Sequence, residues 1–227
     1  MTRKARTATI LSSVLVIVAI VIAIVTFTHS EAYAQFLDSY HKLSVPEQQW
    51  VRRHPLAAFR THKIADTVRH EAQSRLKDAD LDGDLNGGMV DAFKHTLWMA
   101  LTAQKIGSRK ALLLGEAHEE GNRLEYESDP TRKKFLQDSI ASRMDILNNQ
   151  IGARIGSQNP DASQHKIIEL VKQAVIEGKC WKIRKKDKNT YLDADGNAIN
   201  IHAYDNNWVV PKVLIPSNKS INQQINK

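Results

Sequence analysis

The chain has 227 residues, 42% hydrophobic and 25% charged, which suits one well-buried domain with appendages and is too short for two large ones. Its single cysteine, Cys180, excludes an internal disulfide framework and leaves the redox compartment unread. The net charge of +7 suits nucleic acid, anionic lipid or plain solubility. The cations gather at Arg3, Lys4 and Arg6 and again at Lys179, Lys182, Arg184, Lys185, Lys186 and Lys188, where they form either a solvated face or a contact with an anionic surface.

Ala8 to Phe27 carries no charge and is rich in Ile and Val. At a rise of ~1.5 Å per residue such a run covers the hydrocarbon core of a bilayer. With the basic residues in front of it, the positive-inside rule places the rest of the chain outside the cytoplasm. Ala32-Tyr33-Ala34 offers signal-peptidase cleavage before Gln35, although the apolar run is longer than the ~7 to 15 residues usual for a signal. The readings are therefore an anchor on the extracytoplasmic side of the inner membrane, or a periplasmic or secreted protein cleaved after Ala34.

Residues 31 to 41 read as a short juxtamembrane helix. Ser44-Val-Pro-Glu47 has the capping-box spacing with Pro in the first turn, so a helix starts there. His54-Pro55 interrupts it, because a residue before proline is pushed out of helical geometry. A longer helix is expected from Leu56 to Leu76. Asp78, Asp80 and Asp82 with Gly83 then match positions 1, 3, 5 and 6 of a calcium loop, and Asp84 adds a fourth carboxylate. Met89 holds the position that needs a bidentate Glu, so the loop is either a calcium site helped by Asp91 or a solvated acidic turn.

From Met89 to Ile106 the helical core stripe is Val90, Phe93, Leu97 and Leu101. Asp91, His95, Trp98 and Thr102 share a second stripe, and a Trp there points to a cleft rather than to water. Asp91 and His95, one turn apart, can share a metal, or the carboxylate can orient the imidazole. After Gly107-Ser108 another helix leads into Glu116, His118, Glu119 and Glu120, where three carboxylates crowded around His118 repel one another and a bound cation would relieve them. Asp129-Pro130 is expected to open a helix continuing to about Ile155, with Asp138, Ser142, Asp145, Asn149 and Gly152 on a polar stripe. Gly152 in mid-helix implies close approach of another backbone.

A last amphipathic helix is expected over Ala162 to Glu177, and after it strand-like alternation around a turn at Asp193 to Asn197. The fold class read from this is mainly α: a multi-helix bundle with a small C-terminal β-hairpin element and an N-terminal transmembrane or signal helix. Its divisions are 1–34 leader, 35–178 helical core, 179–216 β element packed on the core, and 217–227 disordered tail.

G-x-x-D-A-F-K-H-x-x-W at 88–98, A-H-E at 117–119 and M-D-x-x-N-N-x-x-G at 144–152 resemble an uncharacterised, mostly helical bacterial domain family found in secreted and toxin-like proteins. Its members carry Arg at the position of Lys94 and Leu-His at Ile146-Leu147. The likeness covers roughly residues 44–156. A looser analogy of ligand type and order joins His95, His118-Glu119 and Asp145 to helical metal-dependent phosphohydrolases.

These residues support two functional readings. In the first, Asp91, His95, His118 and Asp145 hold a divalent metal that activates water. Glu119 is then the general base, Lys94 or Arg143 neutralises phosphate, and Asn148 or Asn149 donates to the substrate, a phosphoester, anionic lipid or cell-wall precursor. In the second, the same side chains form a structural hydrogen-bond network in a non-catalytic envelope interaction module. Nucleic acid is disfavoured as a partner because envelope proteins rarely meet it.

Overall fold

The computed structural model describes residues 3–28, 31–128 and 138–219, and the side chains of residues 3–12, 14, 27, 28 and 32 lie outside the description. It divides into two compact units, Met1–Leu43 and Ser44–Lys227. The first unit holds α1 (Arg3–Thr28) and α2 (Glu31–His41). Among the described residues no helix is long and apolar enough to cross a membrane. The apolar run expected to do so has its side chains described only in part, and from Leu15 to Val25 its large side chains are exposed.

The second unit contains α3 (Val45–Arg53), α4 (Pro55–Thr61), α5 (Ile64–Ser74), α6 (Met89–Ile106), α7 (Ser108–Ser128), α8 (Ser139–Gln158) and α9 (Gln164–Ile176). The capping box forms as its spacing requires: Glu47 Oε2 accepts the Ser44 N–H at 2.8 Å and so closes the first turn of α3. The helix expected from Leu56 to Leu76 is instead two. The Thr61 hydroxyl donates back to the Ala57 carbonyl at 2.9 Å at the end of α4, and the chain turns through His62 and Lys63 with no glycine or proline.

Helix α6 is the axis of this unit, packed against α5, α7, α8 and α9. From Met89 to Ala103 only Lys94 and Trp98 escape full burial. Burial all round explains why its apolar residues are not confined to one stripe. Phe93 and Leu97 sit at 0% exposure against Val68, Ala72, Ile167 and Val171, and each such side chain stabilises the fold by about 1.5–3 kcal/mol. On α8, a Cβ at Gly152 would lie 2.1 Å from the Thr96 carbonyl oxygen, and one at Gly156 2.0 Å from that of Ala100. Two glycines four apart thus let α8 lie backbone to backbone on α6.

Asp129-Pro130 lies outside the described residues. Asp138 is not a stripe residue but the N-cap of α8, accepting the Ile140 and Ala141 N–H groups at 3.0 Å. The C-terminal strands form two antiparallel pairs instead of one hairpin. Trp181–Ile183 (β1) pairs with Leu214–Pro216 (β4), and Lys185–Asp187 (β2) with Thr190–Tyr191 (β3). The turn at Asp193 closes only an isolated bridge from Leu192 to Ala198. Ser217, placed in the disordered tail by composition, is buried and donates to the Val175 carbonyl at 2.6 Å. The rest of that tail, from residue 220, lies outside the described residues.

Candidate functional site

Three helices bring polar side chains to one place. Asp91, Lys94 and His95 come from α6, His118 and Glu119 from α7, and Ser142, Asp145 and Asn149 from α8. The glycine-mediated contact of α6 with α8 sets the first distances: His95 Nε2 lies 3.4 Å from Asp145 Oδ1 and 3.7 Å from Asp91 Oδ1. Asp91, His95 and Asp145 are all buried, and each places a ligand atom within 4.8 Å of the other two. Among the described residues theirs is the one such group.

The two oxygens of Asp91 do different work. Oδ2 accepts the Gly87 N–H at 2.7 Å, so Asp91 does bend back to the loop, but onto its backbone. Oδ1 faces His95 and takes the Lys94 ammonium at 2.6 Å. Burial favours the neutral form of His95, the Lys94 charge adds to it, and its pKa falls well below 6.5. A neutral imidazole is the form that ligates a metal. For Lys94, burial works against the charge, but the Asp91 carboxylate outweighs it and the pKa is raised.

His118 does not join the set. Its ring centre is 6.5 Å from that of His95, and its Nδ1 lies 2.9 Å from Glu47 Oε1, the oxygen nearer to it on the capping-box carboxylate. Burial opposes charge on both partners, yet the pairing prevails: His118 is raised above 6.5 and Glu47 lowered below 4.5. Trp98 stands edge-on to both imidazoles, at 6.5 Å from His95 and 5.2 Å from His118, which accounts for a Trp on this stripe.

The carboxylates around His118 separate rather than crowd. Glu119 turns inward, where its Oε2 accepts the Ser142 hydroxyl at 2.6 Å, and burial raises its pKa above 4.5. Glu120 turns outward to Arg123 at 2.7 Å, and Glu116 is exposed. Arg143 stands on the exposed side of α8. Asn148, expected to donate to a substrate, is a structural clamp: its amide donates to the Trp181 carbonyl and accepts the Trp181 N–H, both at 2.9 Å. Asn149, 100° around the helix, lies beside His95 and favours its charged form, yet neither of its own amide atoms meets full hydrogen-bond geometry.

The carboxylates of the acidic loop find partners within the protein. Asp78 and Asp80 take Lys172 at 2.9 and 2.8 Å, Asp82 accepts the Met89 N–H at 2.8 Å at the start of α6, and Asp84 takes Lys185 at 2.8 Å. Lys188 donates to the Gly83 carbonyl at 2.9 Å. Part of the basic cluster thus neutralises the loop from within the protein, and the calcium reading has no support in this geometry. Cys180 is buried beside Thr96 with its thiol pushed up to about 11, which leaves it inert.

Residues 48–179, more than half of the chain, match DUF6973, a domain-of-unknown-function family. The chain belongs to that family. Neither a curated protein nor a solved structure matches it. The DUF6973 region extends through α9, past the 44–156 that carry the motifs, and it contains every residue of the cluster except Glu47. Glu47 and Ser142 are the members that sequence reasoning left out of the site. The signal for Glu47 was present but spent: a capping-box carboxylate needs only one oxygen for its cap, which leaves the other to reach across to α7.

Proposed function

We propose that this DUF6973 protein is a metal-dependent hydrolase held at the extracytoplasmic face of the membrane, acting on a phosphoester or lipid-linked phosphate. The observation that carries the reading is the buried convergence of Asp91, His95 and Asp145 on two helices fixed against each other. Two carboxylates and a neutral imidazole fit a hard or borderline divalent cation. Bound there, the cation supplies a Lewis acid and an acidified water.

The remaining roles belong to the chain's own side chains. Glu119 is the general base. Ser142 holds its Oε2, its Oε1 is buried without a hydrogen-bond partner, and a raised pKa brings a carboxyl nearer to the range that proton transfer needs. Lys94, with a side chain 32% exposed, is the cation available to a substrate anion. Trp98 and His118 form the partly open wall. The envelope location rests on the apolar run at Ala8 to Phe27 and its basic flank.

A structural network is the second reading, favoured by the Lys94 to Asp91 ion pair, which already neutralises one carboxylate. The two separate in one experiment. Full-length chain in detergent is equilibrated with Mn²⁺ or Zn²⁺, freed of excess metal and analysed for bound ion beside Asp145→Asn and His95→Ala. Activity on a phosphodiester is measured for wild type and Glu119→Gln. One ion per chain, lost in the first two variants, with activity lost in all three, is expected. A metal-free wild type leaves the network reading.

A further inference from the structure

We infer that Lys94 is the resident counter-ion of this site, and that a divalent cation enters by displacing its ammonium from Asp91. The inference rests on the metal reading and adds what that reading lacks, an account of how the site is held before the ion arrives. Three observations on one residue carry it. The oxygen of Asp91 that faces His95 is the oxygen that holds the Lys94 ammonium at 2.6 Å, while the other is fixed to the Gly87 N–H at 2.7 Å. Ion and ammonium therefore compete for one atom. The Asp91 side chain is 9% exposed and that of Lys94 32%, so the ammonium can withdraw toward solvent by rotation of its own chain while the carboxylate stays in place. Lys94 also lies among the cluster's carboxylates, paired with Asp91. Its charge is felt at Asp145 and Glu119 as well, so it balances the carboxylates of the site as a group.

The consequence runs against the usual expectation for a residue in a binding site. A lysine that assists the ion lowers affinity when removed. A lysine that occupies the ion's place raises it, because the ion no longer has to break an ion pair or sit beside an ammonium. Once displaced, the same ammonium is released at the mouth of the site, where an anionic substrate group meets it. Metal binding and substrate recognition are thereby coupled through one side chain.

The test is Mn²⁺ and Zn²⁺ binding by calorimetry to the full-length chain in detergent for wild type, Lys94→Met, Lys94→Gln and Lys94→Arg. Melting temperature is recorded with and without metal in each. The expected result is affinity tighter by more than about tenfold in the two neutral variants and no tighter in Lys94→Arg, since a few ångströms from a cation a unit charge outweighs that factor. If a neutral variant is unfolded without metal, its folding on addition of Mn²⁺ or Zn²⁺ is the same result read by linkage. Equal or weaker binding in the neutral variants, with wild type still binding, overturns the inference and leaves the metal site standing. No binding in any of the four overturns the metal site and the inference with it.

Discussion

Helix α8 approaches the backbone of α6 at Gly152 and Gly156, and Gly152→Ala tests whether that approach is required. A Cβ at this position would lie 2.1 Å from the Thr96 carbonyl oxygen and 2.9 Å from its carbon, where 3.4 Å is the lower limit of ordinary contact. The obstacle is backbone in the middle of a buried helix, so no rotamer change relieves it and the helices must part by more than an ångström. Overpacking of this kind costs about 1–3 kcal/mol, and the rigid neighbour places the cost at the upper end. Alanine in place of mid-helix glycine returns about 1 kcal/mol of helix propensity. The net expectation is a loss of about 2 kcal/mol, or about 4–8 °C in melting temperature for a domain of this size. Thermal and urea denaturation of the full-length chain in detergent measures it. Because Asp145 lies two turns before Gly152, the same separation draws it from His95, so metal affinity falls together with stability. A Gly152→Ala variant that melts at or above the wild-type temperature would show that only propensity was at stake and that the helices are not held by their backbones.

Asn148→Ala removes both hydrogen bonds to the Trp181 backbone and is expected to destabilise by about 2–3 kcal/mol in urea denaturation, since unsatisfied buried groups cost more than the bonds contribute; a change below about 0.5 kcal/mol would refute the clamp. The Glu47 to His118 pair gives a pH signature, read as the stability of wild type minus that of His118→Gln. With Glu47 lowered below 4.5, its share is present above that pH and lost as pH falls through the folded value; with His118 raised above 6.5, its share is full below 6.5 and lost as pH rises through the folded value. The difference should therefore peak between those limits, and a profile flat from pH 4 to 8 would contradict the pairing. Millimolar calcium should leave the melting temperature unchanged, because the carboxylates of Asp78, Asp80, Asp82 and Asp84 already hold lysines or backbone N–H groups; a rise of more than about 4 °C, roughly 1 kcal/mol or more, would show the loop yielding to the ion.

Elements with local causes were legible in the sequence. The capping box at Ser44 and Glu47, the break at His54-Pro55, the span of α6 and the backbone contact at Gly152 all depend on residues within a turn or two, or on the absence of a side chain. What was not legible depends on partners far along the chain. Periodicity puts His118 on the inner side of α7 but cannot say that Glu47, 71 residues earlier, meets it before His95 does. It puts Asn149 rather than Asn148 on the polar stripe with Asp145, but it cannot show that Asn148, 100° around the helix, is taken up by the backbone of β1. The run of acids at 78–84 looked like an ion loop because its neutralising lysines, at 172 and 185, lie about a hundred residues away.

The satisfaction of these polar groups has to be weighed together with their clustering. Around the site the fold shows that it can satisfy buried polar atoms fully: Asn148 closes a pair of hydrogen bonds, Asp138 caps a helix and binds Lys212 at 2.5 Å, and Glu47 divides its oxygens between Ser44 and His118. In the cluster, Glu119 Oε1 is buried without a hydrogen-bond partner, and the Asn149 amide stands beside His95 short of full hydrogen-bond geometry. Trp50 Nε1, Arg75 Nε and Thr102 Oγ1 are left in the same state elsewhere in the fold, so an unpaired buried atom does not by itself mark a site. What sets Glu119 apart is its place in one cluster with the converging Asp91, His95 and Asp145, which is the arrangement the proposed metal site requires.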